Sequence, residues 1–232
     1  MCEKPLFMQR ILEVCAANLA SVEAAAAAGA QRVELCAALS TGGVTPSPGF
    51  IREARRHENL LLHVLIRPRD GDFVYSPAEV RTMEADIRMA RDEGADAVVV
   101  GALTPEGRVD TDVCARLVEA ARGMRLTFHR AFDVCAAPLE AVDRIAALGF
   151  DRLLTSGAAP TAVEGVGLIA ELQALVHGRL AILPGSGVTS RNARALLEAT
   201  GCGEIHSSAR GVAGGSVSTV DEVAAILRAI DF

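Results

Sequence analysis

With 232 residues, 50 % of them hydrophobic and 22 % charged, the chain can bury a large core and is not a disordered polymer. A formal charge of −6, with seven Phe, one Tyr and no Trp, excludes the basic, ring-bearing face of a nucleic-acid binder. Lys4 is the single lysine among 23 basic residues, which disfavours Schiff-base and phosphate-loop lysine chemistry.

Six cysteines (2, 15, 36, 114, 135 and 202) contain no C-x-x-C pair, so a local zinc knuckle or thioredoxin motif is absent. The N-terminus has no apolar core of a signal peptide, and no apolar run approaches the ~18 residues of a membrane span. The expectation is a cytosolic protein with reduced thiols and no membrane partner.

Apolar runs alternate with Ala/Leu/Glu/Arg-rich stretches along the whole chain. A strand over 11–15 precedes a helix over 21–28, and a strand over 32–36 leads into a Gly/Pro-rich loop at 40–49 that reads as a rim or lid. Strand 61–67 pairs with helix 77–93, strand 97–103 with helix 111–122, and strand 125–130 with helix 139–148. Strands 152–155, 180–183 and 204–207 follow, each with its helix, at 163–176, 190–199 and 219–229. Ser76 before Pro77, Ser190 and Thr219 stand at expected N-caps. Gly29, Gly94, Gly149 and Gly201 stand where four helices stop and strands begin. Eight units of about 29 residues each match a (β/α)8 TIM barrel, in the α/β class, as one domain over 1–232. An open doubly wound sheet is the alternative.

In a barrel, chemistry belongs to the C-terminal strand ends. The first two strands end in the same pattern, Glu13-Val14-Cys15 and Glu34-Leu35-Cys36. Alternation puts each Glu and Cys on the barrel axis and Val14 and Leu35 toward the helices. Strands lie ~4.8 Å apart, so two thiolates there suit a soft ion such as Cu(I); the plainer reading of a barrel cysteine is a small buried hydrophobe. Two axial carboxylates need a cation or donors, and together they push one pKa upward. Arg67 and Arg69 share a face after strand 3, ready to pair with Glu13 and Glu34 or to bind an anion. His63, at the start of that strand, reads as packing. His129 at the end of strand 5 is the best general acid/base or metal ligand, with Asp133 beyond it to orient it. The loops after strands 7 and 8 offer Gly185, Ser186, Gly187 and Ser208 as an anion or phosphate site, close to His206. A dinucleotide reading of that glycine loop fails, because Glu204 opens its strand where the ribose ligand should close one.

The motifs EVC, ELC, GGVTPS, IRPR-x-GDFVYS, TFHRAFD, LTSG, PGSGV and HSSAR, over roughly residues 11–210, resemble the CutC family, named for copper homeostasis. The resemblance implies a TIM barrel, a cytosolic homo-oligomer (dimer or tetramer) and a Cu(I) site built from two cysteines, matched here by Cys15 and Cys36. Two positions depart from the family pattern. Asp70 replaces a glycine and brings negative charge toward the mouth. Ser186 replaces a glycine and costs about 1 kcal/mol or more if its φ is positive.

Two functions compete. One is copper homeostasis through Cys15 and Cys36. The alternative is an enzyme acting on a small anionic metabolite by acid/base chemistry with Glu13, Glu34, Arg67, His129, Asp133 and His206. A weaker third is an interaction scaffold. Half of the aromatic residues, Phe73, Tyr75, Phe128 and Phe132, lie in the two most specific motifs and are expected to flank the mouth.

Overall fold

Strand and helix alternate through the computed structural model, which describes residues 10–211 and 215–232. Lys4 and Cys2 lie outside the described residues. The order is β1 (Ile11–Ala16), α1 (Leu19–Ala28), β2 (Arg32–Leu35), α2 (Pro48–Ala54), β3 (Leu61–Leu65), α3 (Pro77–Asp92), β4 (Ala97–Val100) and α4 (Thr111–Ala120). It continues with β5 (Arg125–Phe128), α5 (Pro138–Ala147), β6 (Arg152–Thr155), α6 (Val166–Val176), β7 (Ala181–Pro184), α7 (Ala193–Thr200), β8 (Glu204–Ser207) and α8 (Val220–Ile230).

All ladders are parallel, in the sheet order β7-β6-β5-β4-β3-β2-β1-β8. β8 pairs with β1, which curls the sheet into a TIM barrel. Among the described residues β7 and β8 share no ladder. That seam is closed by side chains: Ser207 Oγ donates to the Val188 carbonyl at 2.7 Å, and a Cβ on Gly185 would come within 3.3 Å of His206.

Local chemistry explains the element ends. Ser76 and Glu79 form a complete capping box on α3, with Pro77 in the first turn. Thr219 caps α8. Gly29, Gly94, Gly149 and Gly201 all have positive φ, as helix stops require. Two expectations need correction. The stretch read as a loop over 40–49 ends inside α2, a seven-residue helix that no expectation placed, started by Ser47 accepting from Phe50 N–H and by Pro48 and running on to Ala54. Ser190 does not cap α7; its N–H and hydroxyl bind Glu222, and α7 begins after Asn192.

The strands separate two cores. Val14, Leu35, Val64, Val98 and Ile205 pack outward against helix residues such as Val22, Met83 and Leu117. Inside the barrel, Cys15, Cys36, Leu65 and Val99 form a small apolar layer of their own. The expected alternation of Glu13/Cys15 and Glu34/Cys36 against Val14/Leu35 is therefore what the barrel shows. No helix among the described residues is long and apolar enough to cross a membrane.

Candidate functional site at the barrel mouth

The barrel interior begins with charge. On the ladder, Glu13 stands beside Arg32 of β2 and His206 of β8. Arg32 is fully buried; its Nε donates to Glu13 at 2.5 Å and its Nη2 to Glu204 at 2.5 Å. Arg152 Nε donates to the same Glu204 oxygen at 2.8 Å. Burial alone would raise the Glu13 carboxyl, but Arg32 and the histidines His206 and His63 hold it well below the usual range. His63 is not simply packing: its Nδ1 lies 3.1 Å from Glu13 Oε2, though without hydrogen-bond alignment. Arg32 was legible as an axial residue, since it precedes Glu34 by two on the same strand.

Above this floor lie the thiols. Cys15 Sγ and Cys36 Sγ are 3.8 Å apart and buried. Ligand atoms of Cys15, Glu34 and His206 fall within 4.8 Å of one another, a grouping able to hold a metal. His206 Nδ1 faces Glu13 at 2.8 Å, which leaves Nε2 toward Glu34 at 3.9 Å. Burial disfavours the charged imidazole, but the Glu13 hydrogen bond and the charge of Glu34 outweigh it and raise the His206 pKa. Of the two axial carboxylates, Glu34 is the one pushed up, by burial first and with Glu13 adding to it. The Cys15 thiol is raised well above its ordinary value by its contact with Cys36, by burial and by Glu34.

The β3–β5 side departs from expectation. Arg67 pairs with neither Glu13 nor Glu34. Its Nη1 donates to the carbonyls of Thr41 (3.2 Å) and Gly43 (2.9 Å), and its Nη2 to that of Gly71 (2.7 Å). Those contacts tie the loops after β2 and β3 together. Arg69 turns away to Glu79 and Asp72. Asp133 does not orient His129: it accepts from Arg130, from the Thr155 and Ser156 hydroxyls and from the Ser156 and Ala158 amides. Burial and then the nearby Arg67 drive the His129 pKa down to about 3, so the ring is neutral at ordinary pH. Its Nδ1 accepts the Ala131 N–H at 3.2 Å, which places the proton on Nε2. His129 is therefore a neutral ring whose Nε2–H is available as a donor.

The loop after β7 is strained as anticipated, with Ser186 at φ +79°. Its hydroxyl is engaged by the Pro160 carbonyl at 2.9 Å. Gly185 does not line the cleft: its N–H donates to the Thr155 carbonyl at 2.9 Å, and a Cβ there would come within 2.7 Å of Leu154. Ser186, Gly187 and Ser208 do line the cleft.

These groups surround one cleft of about 610 Å³ at the C-terminal mouth. Cys15, Glu34, Arg67, His129, Asp133 and His206 all line it; Glu13 lies beneath, and Cys36 reaches it only through Cys15. Arg130 and Arg210 also line it and were not singled out from the sequence. Of the four motif aromatics only Phe73 lines the cleft; Phe128 and Phe132 are fully buried in the outer core and Tyr75 is half-buried. Asp70 is exposed and does not line the cleft.

Fold and cleft together define a (β/α)8-barrel protein with a polar cleft at its C-terminal mouth. The chain belongs to the CutC family, whose model matches residues 10–211. It is 50 % identical over 199 residues to the family protein CutC of Porphyromonas gingivalis, covering 86 % of this chain and 80 % of that protein. It is 44 % identical over 200 residues to the human copper homeostasis protein cutC homolog, covering 86 % of this chain and 73 % of that one. A crystal structure of CutC from Streptococcus agalactiae superposes with a TM-score of 0.82 at 38 % identity, covering 86 % of this chain and 98 % of that one. Phosphoribosylanthranilate isomerase from Thermotoga maritima, with a TM-score of 0.63 at 14 % identity over 95 % of this chain and 98 % of that one, shares the fold alone.

Proposed function

We propose that this protein takes up Cu(I) in copper homeostasis, with Cys15 and Cys36 as its thiol ligands and His206 and Glu34 beside them. The observation that carries the reading is the 3.8 Å separation of the two Sγ atoms beneath an accessible cleft. Thiolates are the soft donors that Cu(I) selects, and the name of the human relative points to the same metal. The donors fit: both thiols are buried, unoxidised and next to a carboxylate and an imidazole whose Nδ1 is already held by Glu13. Because the Cys15 thiol is raised, metal uptake must displace its proton, and affinity rises with pH.

Anaerobic Cu(I) titration against a competing chelator tests this. Cys15→Ser/Cys36→Ser should lose more affinity than the roughly 10–100-fold that removing an outer partner costs a metal site. Wild-type affinity in the double variant would overturn the proposal. A second reading, a borderline divalent ion such as Zn2+ on Cys15, Glu34 and His206, is favoured by their mutual proximity. Cys36→Ser alone separates the two, since only the Cu(I) site needs Cys36.

A further inference from the structure

Arg67 is the buried cation of the mouth that no carboxylate answers. Its side chain is 5 % exposed, and no Asp or Glu among the described residues lies within ion-pair distance of it. The three loop carbonyls satisfy Nη1 and Nη2 but leave the charge formally unmatched, and Nε–H has no acceptor. His129, 4 % exposed, repeats the pattern: Nδ1 is used by the Ala131 amide, and Nε2 has no partner. Both residues line the cleft.

Their proximity is built into the fold. His129 follows β5 directly and Arg67 follows β3, with β4 between them. The chain after β4 carries Gly101, and a Cβ there would come within 2.8 Å of the His129 ring. Gly101 thus lets the imidazole lie against the backbone. Phe73 lies over both groups, 5.0 Å from the His129 ring centroid and 4.9 Å from the Arg67 guanidinium carbon. Buried donors without acceptors are costly, and a buried unmatched charge more so. Two such donors call for a ligand that accepts hydrogen bonds, and the guanidinium calls for one that is negative. Cations and donor-only groups do not fit.

We propose that Arg67 and His129 form an anion subsite in the mouth cleft, which takes the carboxylate or phosphate end of a small metabolite, with Phe73 as an apolar wall beside it. The subsite is independent of the thiols, so it holds whether or not copper binds at Cys15 and Cys36. His129 acts in it as a neutral donor and Arg67 as the charge. Arg210 adds positive charge at the same cleft, whereas the charge of Arg130 is matched by Asp133. Of the acids that line it, Asp133 is already engaged by Arg130 and the β6 loop, and Glu34 is directed to the metal cluster.

The experiment uses the full chain freed of metal with a chelator, titrated by calorimetry with inorganic phosphate and separately with malonate. The 15N resonances of the His129 ring are followed in parallel. Saturable binding of either anion, with a shift at His129 Nε2, supports the subsite; the anion that binds names the ligand end, phosphoryl or carboxylate. His129→Phe should weaken that binding about tenfold or more, as expected for losing a hydrogen bond to a charged group. Arg67→Gln should abolish it; should that variant fold poorly, His129→Phe and the His129 resonances of the unaltered chain still decide the matter. If neither anion moves the His129 resonances at about 20 mM, some tenfold above a 1–2 mM Kd, the proposal is overturned. Unchanged affinity in His129→Phe overturns it equally.

Discussion

At the floor of the barrel Arg32 and Arg152 face Glu13 and Glu204; at the mouth Arg67 faces backbone carbonyls, beside a histidine whose Nε2 has no partner. Both regions are buried and both hold guanidinium groups. At the floor, charge is matched two against two, although Arg32 and Arg152 each leave one Nη1 without an acceptor. At the mouth, the charge and two donor atoms have no protein answer. The difference teaches where to look for function in a buried polar interior. Groups that neutralise one another hold the fold together, and groups left over are open to a ligand.

The largest test removes one side of the matched set. Arg32→Leu leaves Glu13 and Glu204 buried against fewer cations and should lower unfolding free energy by about 3–5 kcal/mol, measured by urea denaturation. A loss under about 1 kcal/mol, the surface-pair range, would mean the floor is no tighter than a surface pair. Acid probes the same network. Glu204 is held below its ordinary pKa: burial opposes this, but Arg152 and Arg32 prevail; Glu13 is lowered likewise. Their contribution is present above the unfolded carboxyl pKa of about 4.3 and is lost as pH falls through the folded values. Urea midpoints should therefore fall below about pH 4.5, and less steeply in Glu204→Gln.

Arg67→Met should cost less than Arg32→Leu, within about 2 kcal/mol. It loses hydrogen bonds worth roughly 1 kcal/mol each but also removes an unmatched buried charge. A cost equal to that of Arg32 would erase the contrast between floor and mouth. The smallest effect belongs to Ser186→Gly. Relief of a positive φ is offset by the lost bond to the Pro160 carbonyl and by glycine's entropy, so the net change should stay within about 1 kcal/mol in thermal unfolding.

Much of the site was legible in the chain. The duplicated Glu-x-Cys endings placed Cys15, Cys36, Glu13 and Glu34 on the axis, because alternation along a strand is a local property. The rise of one carboxylate pKa was also legible, since two buried acids cannot ionise equally well. The partners of Arg67 and Asp133 were not. Arg67 bonds to residues 24 and 26 positions earlier, and Asp133 to residues 22 to 25 positions later, through loops whose paths no periodicity encodes. The protonation role of His129 was hidden for a similar reason: its tautomer is set by the Ala131 amide and its low pKa by burial beside Arg67. Helix α2 was missed because seven residues carry too little periodicity, although Ser47-Pro48 already marked its start.

By itself the sequence determined the barrel, its repeat and which side chains face its axis, because caps, helix-stop glycines and strand alternation act over a few residues. Only the tertiary structure decided which of those axial groups answer one another. Charge matching depends on ångström distances between strands far apart in the chain, and those distances made the floor a closed ion network and left the mouth unmatched.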